Sequence, residues 1–160
     1  MISTRIKQGI AGGLAGGLVF GMMMLAMGML PMIGKMVGQP NAVAGFLVHL
    51  VISAGIGAGF GVVMGPFVKS AASGLLLGLG YGSVWWFLGP LTLMPLMMGM
   101  GMGVNWNAAA AQAMLPSLMG HAIFGMVLGL AYQRGEACQI GRIFGKGGSD
   151  KENSPAPRAI

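Results

Sequence analysis

Charge is what this sequence has least of. Only 8% of its 160 residues are Asp, Glu, Lys or Arg, and just three of those are acids. A soluble globular domain carries about 25%, so the charged shell that a water-borne core needs is missing. Between Gln8 and Gln133 only Lys35 and Lys69 interrupt the uncharged chain, and no acid precedes Glu136. That absence removes the carboxylate pairs of general acid–base catalysis and the acid that orients a catalytic histidine. It also removes the intramembrane acid that proton-coupled transport normally uses. The expectation is a protein that is not an enzyme. One cysteine, Cys138, excludes an internal disulfide.

What is present is apolar. Hydrophobic residues make up 55% of the chain and its mean hydropathy is +0.78, which makes a lipid bilayer the expected solvent. The net charge of +6 does not point to nucleic acid, because the basic residues gather at the chain ends and loops instead of forming a stripe. Arg5 and Lys7 precede the first apolar run, Lys69 lies midway, and Arg134, Arg142 and Lys146 follow the last. Under the positive-inside rule both termini of a multi-pass membrane protein are expected to face the cytoplasm. The uncharged run Gly9 to Leu30 holds 22 residues, longer than the ~7–15 of a signal-peptide core, and reads as an uncleaved first span.

The expected fold is all-α: a polytopic membrane protein whose four transmembrane helices form two tandem two-helix repeats. Helix spans are expected at about 8–30, 42–64, from 70, and up to 133. Repeat one covers about 8–66 and repeat two about 70–133, inside a transmembrane domain of 1–144. The polar Gly-, Ser- and Pro-rich stretch 145–160 is expected to be a disordered cytoplasmic tail. The repeat is written in glycine: Gly13, Gly17 and Gly21 are matched by Gly74, Gly78 and Gly82 at a constant offset. Four-residue spacing puts each set on one helix face, where small residues let backbones approach. Gly125 and Gly129 continue the pattern after His121, as Ser53 and Gly57 do after His49. Pro90 and Pro95 are expected to break the third helix, leaving LMPLMMGMGMGVNW irregular at the outer surface with Trp106 as an interface anchor. Asn107 is placed to cap the alanine-rich start of the fourth.

A Gly-rich first helix ending in Met and Pro, an LVH or LMGH opening to the even helices, a W-W/M-P-rich third helix and a closing H-x-x-x-G-x-x-x-G-L-x-Y resemble a family of small four-helix bacterial membrane proteins, known as a domain of unknown function. The likeness covers roughly residues 9 to 133. It implies the four-helix fold and the repeat, and brings no activity with it.

Two residue sets carry candidate chemistry. His49 and His121, symmetrically placed, are expected to face each other in the outer half of the bundle. They would either hydrogen-bond neighbouring helices as structural groups or ligate a metal or b-type haem through ring nitrogens. The second set is methionine: of 17, seven lie between Met22 and Met36 and five between Met94 and Met102. Met94 and Met98, one helical turn apart, would offer thioethers to copper, or simply fill space beside glycine grooves. The string GLGYG at Gly78–Gly82 has the letters of a potassium filter but lies inside a helical glycine ladder. The leading functional expectation is an accessory or scaffold component of a larger membrane complex or homo-oligomer, without a cofactor. The alternative is a copper- or haem-handling protein using His49, His121, Met94 and Met98.

Overall fold

The computed structural model describes residues 2–149, with side chains through Cys138. Among the described residues it is all-α. Helix α1 spans Ile2–Ala26, the short α2 Leu30–Gly34, α3 Ala42–Val63, α4 Ala71–Leu88, α5 Met94–Met97, α6 Ala108–Ala113 and α7 Leu115–Ser149. Four segments are long and apolar enough to cross a membrane: Ile2–Ala26, Ala42–Val63, Ala71–Met97 and Leu115–Cys138.

The ends of these helices follow from local chemistry. Asn41 caps α3 by accepting from the Ala44 N–H at 2.9 Å, and Ser70 caps α4 in a reciprocal box with Ser73, each satisfying an orphan donor. Asn107 caps as expected, accepting from Ala110 N–H at 2.9 Å. It caps α6, however, a separate short helix that ends at Ala113. α7 begins at Leu115 immediately afterwards, with Pro116 in its first turn, where the missing N–H breaks no helical bond. At the end of α1, Gly28 takes the left-handed conformation (φ 68°) and the Met29 N–H returns to the Met24 carbonyl at 2.9 Å, a helix stop that favours glycine.

Two expectations are corrected. Helix α1 starts at Ile2, before Arg5 and Lys7, because a helix need not end where the hydrocarbon does. Pro90 and Pro95 do not break the third span. Residues Gly89–Leu93 widen into a π turn that carries the helix on into α5. The Met94 N–H bonds the Gly89 carbonyl, and the Thr92 hydroxyl donates to the Phe87 carbonyl at 2.9 Å. The wider i→i−5 register keeps the backbone hydrogen-bonded through the proline-containing turn. At the other end of the chain, the tail expected from residue 145 overlaps the last turns of α7, and residues 150–160 lie outside the described residues.

Packing follows the glycines. α1 lies against α3 and α7, and α4 lies against α7, whereas α3 and α4 meet sparsely. α1 can be central because it has two glycine faces. On one, a Cβ at Gly13 would sit 2.9 Å from the Gly57 Cα, and on the other a Cβ at Gly16 would sit 2.6 Å from the Phe124 carbonyl oxygen. Both distances are shorter than side chains tolerate, so only bare backbone fits. α4 has one such face: Gly74 meets Gly129, Gly78 meets Gly125 and Gly82 meets the His121 carbonyl. On α1, Gly17 meets the Ser53 side chain, and Gly21 meets the Phe46 ring and the His49 imidazole. The core between the helices is aromatic and aliphatic: Phe20, Met24, Phe60, Phe124, Leu128 and Tyr132.

Candidate functional site

His49 is carried by the first half of α3 and is buried. Its Nε2 lies 3.0 Å from the Gly17 carbonyl oxygen on α1. A carbonyl only accepts, so Nε2 carries the proton and donates, and the neutral ring has its lone pair on Nδ1. Ring and carbonyl together tie α3 to α1 at the level where the α1 glycines give way to methionine.

His121, in the second turn of α7, is bonded differently. Its Nδ1 lies 2.8 Å from the carbonyl of Ser117, one turn back on the same helix, with the Ser117 hydroxyl at 3.4 Å. Here Nδ1 donates and the lone pair is on Nε2, which faces Gly89 at the π turn: a Cβ on Gly89 would lie 3.7 Å away. The two imidazoles are therefore opposite tautomers, one bridging helices and one turned back on its own.

They do not meet directly. The Phe20 ring touches both edge-on, with centroids 5.4 Å from His49 and 4.8 Å from His121. Phe20 is admitted by Gly120, where any Cβ would collide with the ring. A porphyrin clasped by both histidines would need the space Phe20 occupies, and it would need Nε2 of His49, which is bonded to Gly17. The geometry as it stands is an aromatic wedge between two hydrogen-bonded imidazoles. Phe20 and Gly120 were not singled out in the sequence, although a lone large ring among Gly16, Gly17 and Gly21 is a signal that something must receive it.

The methionines fall elsewhere. Met94 opens α5 and is half-buried, while Met98, just past its end, is exposed. Among the described residues no group of three or more His, Cys, Asp or Glu side chains is placed to hold a metal ion. At the same end of the bundle Trp106 packs on Phe87, with centroids 5.5 Å apart. It donates from Nε1 to the Thr92 hydroxyl at 3.1 Å. At the opposite end the fully buried Tyr132 donates its hydroxyl to Glu136 at 3.3 Å. Gly65 lies against that hydroxyl. Comparison with known protein families, curated proteins and solved structures finds no match to this chain.

Proposed function

We propose that this chain is a small integral membrane protein of the bacterial inner membrane, with both termini cytoplasmic. It acts as a non-enzymatic accessory or scaffold subunit, and two copies of one helical hairpin, about 8–66 and 70–133, make up its body. The observation that carries the reading is a pair of unused glycines. Gly55 on α3 and Gly80 on α4 have nothing within 4 Å, whereas Gly57 and Gly61 on α3, and Gly74, Gly78 and Gly82 on α4, each receive a neighbouring backbone. Both open glycines sit on the flanking helices, beside the exposed Val51 and Leu76. In a bilayer a bare glycine face gains most from another helix, because close backbone approach replaces a hydrophobic drive that lipid does not supply. The interior supports the same reading. His49 and His121 are held by carbonyls, and the one carboxylate within the spans among the described residues, Glu136, lies at the opposite end of the bundle against Tyr132.

The test is a paired measurement on the full chain in mild detergent. Gly55→Leu/Gly80→Leu is expected to leave thermal unfolding unchanged while abolishing a larger native-size species seen with wild type. A wild-type particle of monomer size in every mild detergent, or a larger species indifferent to the substitutions, would refute the scaffold reading. The copper and haem alternative draws no support from the Phe20 wedge. Its own signature, a Soret band or bound copper lost in His49→Ala/His121→Ala, is read in the same preparation.

A further inference from the structure

The end of α5 and the segment that follows it are dense in methionine and glycine. Met97, Met98, Met100 and Met102 fall within six residues, and their side chains are 59%, 53%, 52% and 66% exposed. Glycines alternate with them, and Gly99, Gly101 and Gly103 all take the left-handed conformation, at φ 77°, 90° and 82°. These conformations fold the segment into turns instead of an extended strand. The first turn is pinned by the Met100 N–H, which reaches the Pro95 carbonyl at 3.0 Å. Space around the segment is open, since a Cβ at Gly99 or Gly101 would meet nothing within 4 Å. The result is four thioethers within six residues, spread over the end of α5 and the turns that follow it, with no side chain between Met94 and Met102 that bears nitrogen or a carboxylate.

We propose that Met97, Met98, Met100 and Met102 form a thioether site for a soft monovalent cation, Cu(I). Thioethers are neutral and polarizable, so they bind Cu(I) and discriminate against divalent ions that prefer nitrogen or oxygen. No acid lies between the N-terminus and Glu136, so the site has no carboxylate to attract Zn(II) or Ca(II). Contacts inside the bundle do not hold these four residues, since more than half of each is exposed, unlike the buried Met24. What sets them apart from the equally exposed Met22 and Met119 is their density in the sequence. The site is separate from the histidines and does not depend on the scaffold reading. Its donors do not titrate, so binding is indifferent to pH where an imidazole site would weaken on acidification.

The experiment titrates Cu(I), kept reduced by ascorbate, into full-length protein in detergent against a chromogenic Cu(I) chelator, at pH 7 and pH 5. The comparison variant is Met97→Leu/Met98→Leu/Met100→Leu/Met102→Leu. Leucine keeps the apolar volume, so any role in touching lipid survives and only the sulfur is lost. Wild type is expected to hold stoichiometric Cu(I) equally at both pH values, and the leucine variant to bind at least ~10-fold more weakly. Zn(II) is expected not to compete, and His49→Ala/His121→Ala to bind as wild type. X-ray absorption at the copper edge is expected to show sulfur neighbours only. Equal binding by the leucine variant, absence of stoichiometric Cu(I) on the wild type, or loss of binding on removing the histidines overturns the site.

Discussion

The α1/α3 pair and the α4/α7 pair use the same glycine spacing and close at different levels. In the second pair Gly78 meets the backbone of Gly125, and Gly82 meets the carbonyl of His121. At the matching levels of the first pair, Gly17 meets the Ser53 side chain, and Gly21 meets the Phe46 and His49 rings. One β-carbon and hydroxyl, Ser53 in place of Gly125, fill the space opposite Gly17 that backbone fills opposite Gly78. Closest approach moves one turn along, to Gly9 and Gly13 against Gly57. Side chains in place of backbone at these levels let the His49 ring lie between the helices and donate to Gly17. His121 has no such space, because α4 backbone is already against its carbonyl, and its ring turns back to Ser117. A single small side chain thus decides whether a histidine joins two helices or serves one.

The sharpest way to break this comparison is to place bulk at the tighter contact. Gly78→Leu forces a side chain into backbone that cannot yield, and is expected to cost ~3 kcal/mol or more, or to prevent assembly of the pair. Thermal unfolding in detergent reads it. Gly78→Ala is expected to cost more than Gly17→Ala, because Ser53 can shift and a carbonyl in a helix cannot. The comparison is sharpened by rescue: Gly17→Ala/Ser53→Gly is expected to recover most of the loss from Gly17→Ala alone. If the two alanine variants lose equal stability and no rescue follows, Ser53 is not the spacer.

Sequence alone goes a long way toward this arrangement and stops at definite places. The four-residue ladders were legible, Gly13, Gly17 and Gly21 on α1 and Gly74, Gly78 and Gly82 on α4, whereas the second face of α1, Gly12 and Gly16 against α7, emerges only from the contacts. Four-residue spacing is a property of the helix itself, so it survives translation from letters to contacts. The Pro90 region was not legible, because a helix can absorb proline by widening to an i→i−5 turn, as Gly89–Leu93 does. Whether it does so depends on neighbours that spacing cannot report. The histidines were legible as a pair but not as opposites. Their tautomers are set by which carbonyl each ring reaches, which depends on how far Ser53 and Gly125 let the helices close. Phe20 between them is a tertiary fact of the same kind.

The histidines give a smaller prediction. His49→Ala removes a hydrogen bond between helices, worth ~0.6 kcal/mol on average within a membrane, and opens a cavity beside Phe20. His121→Ala removes a bond within one turn of α7, whose Ser117 carbonyl still has its helical partner available. Thermal unfolding is expected to rank His49→Ala as the more damaging. The reverse order would mean that the His121 ring matters through its contact with Phe20 and not through its hydrogen bond.

The smallest effect is expected on the open side of the bundle. α3 and α4 are joined there by Tyr81, whose hydroxyl donates to the Ile56 carbonyl at 3.0 Å while its ring lies against Phe60 with centroids 5.3 Å apart. Tyr81→Phe keeps the ring contact and deletes the bond, so a loss of ~0.6 kcal/mol or less is expected. The Ile56 carbonyl keeps its place in the α3 ladder, which limits the cost of losing the phenol. If that substitution instead destabilises the protein as much as Gly78→Ala, the sparse α3/α4 side would rank with the glycine ladders as a determinant of the fold. The two-pair description would then give way to a closed four-helix ring.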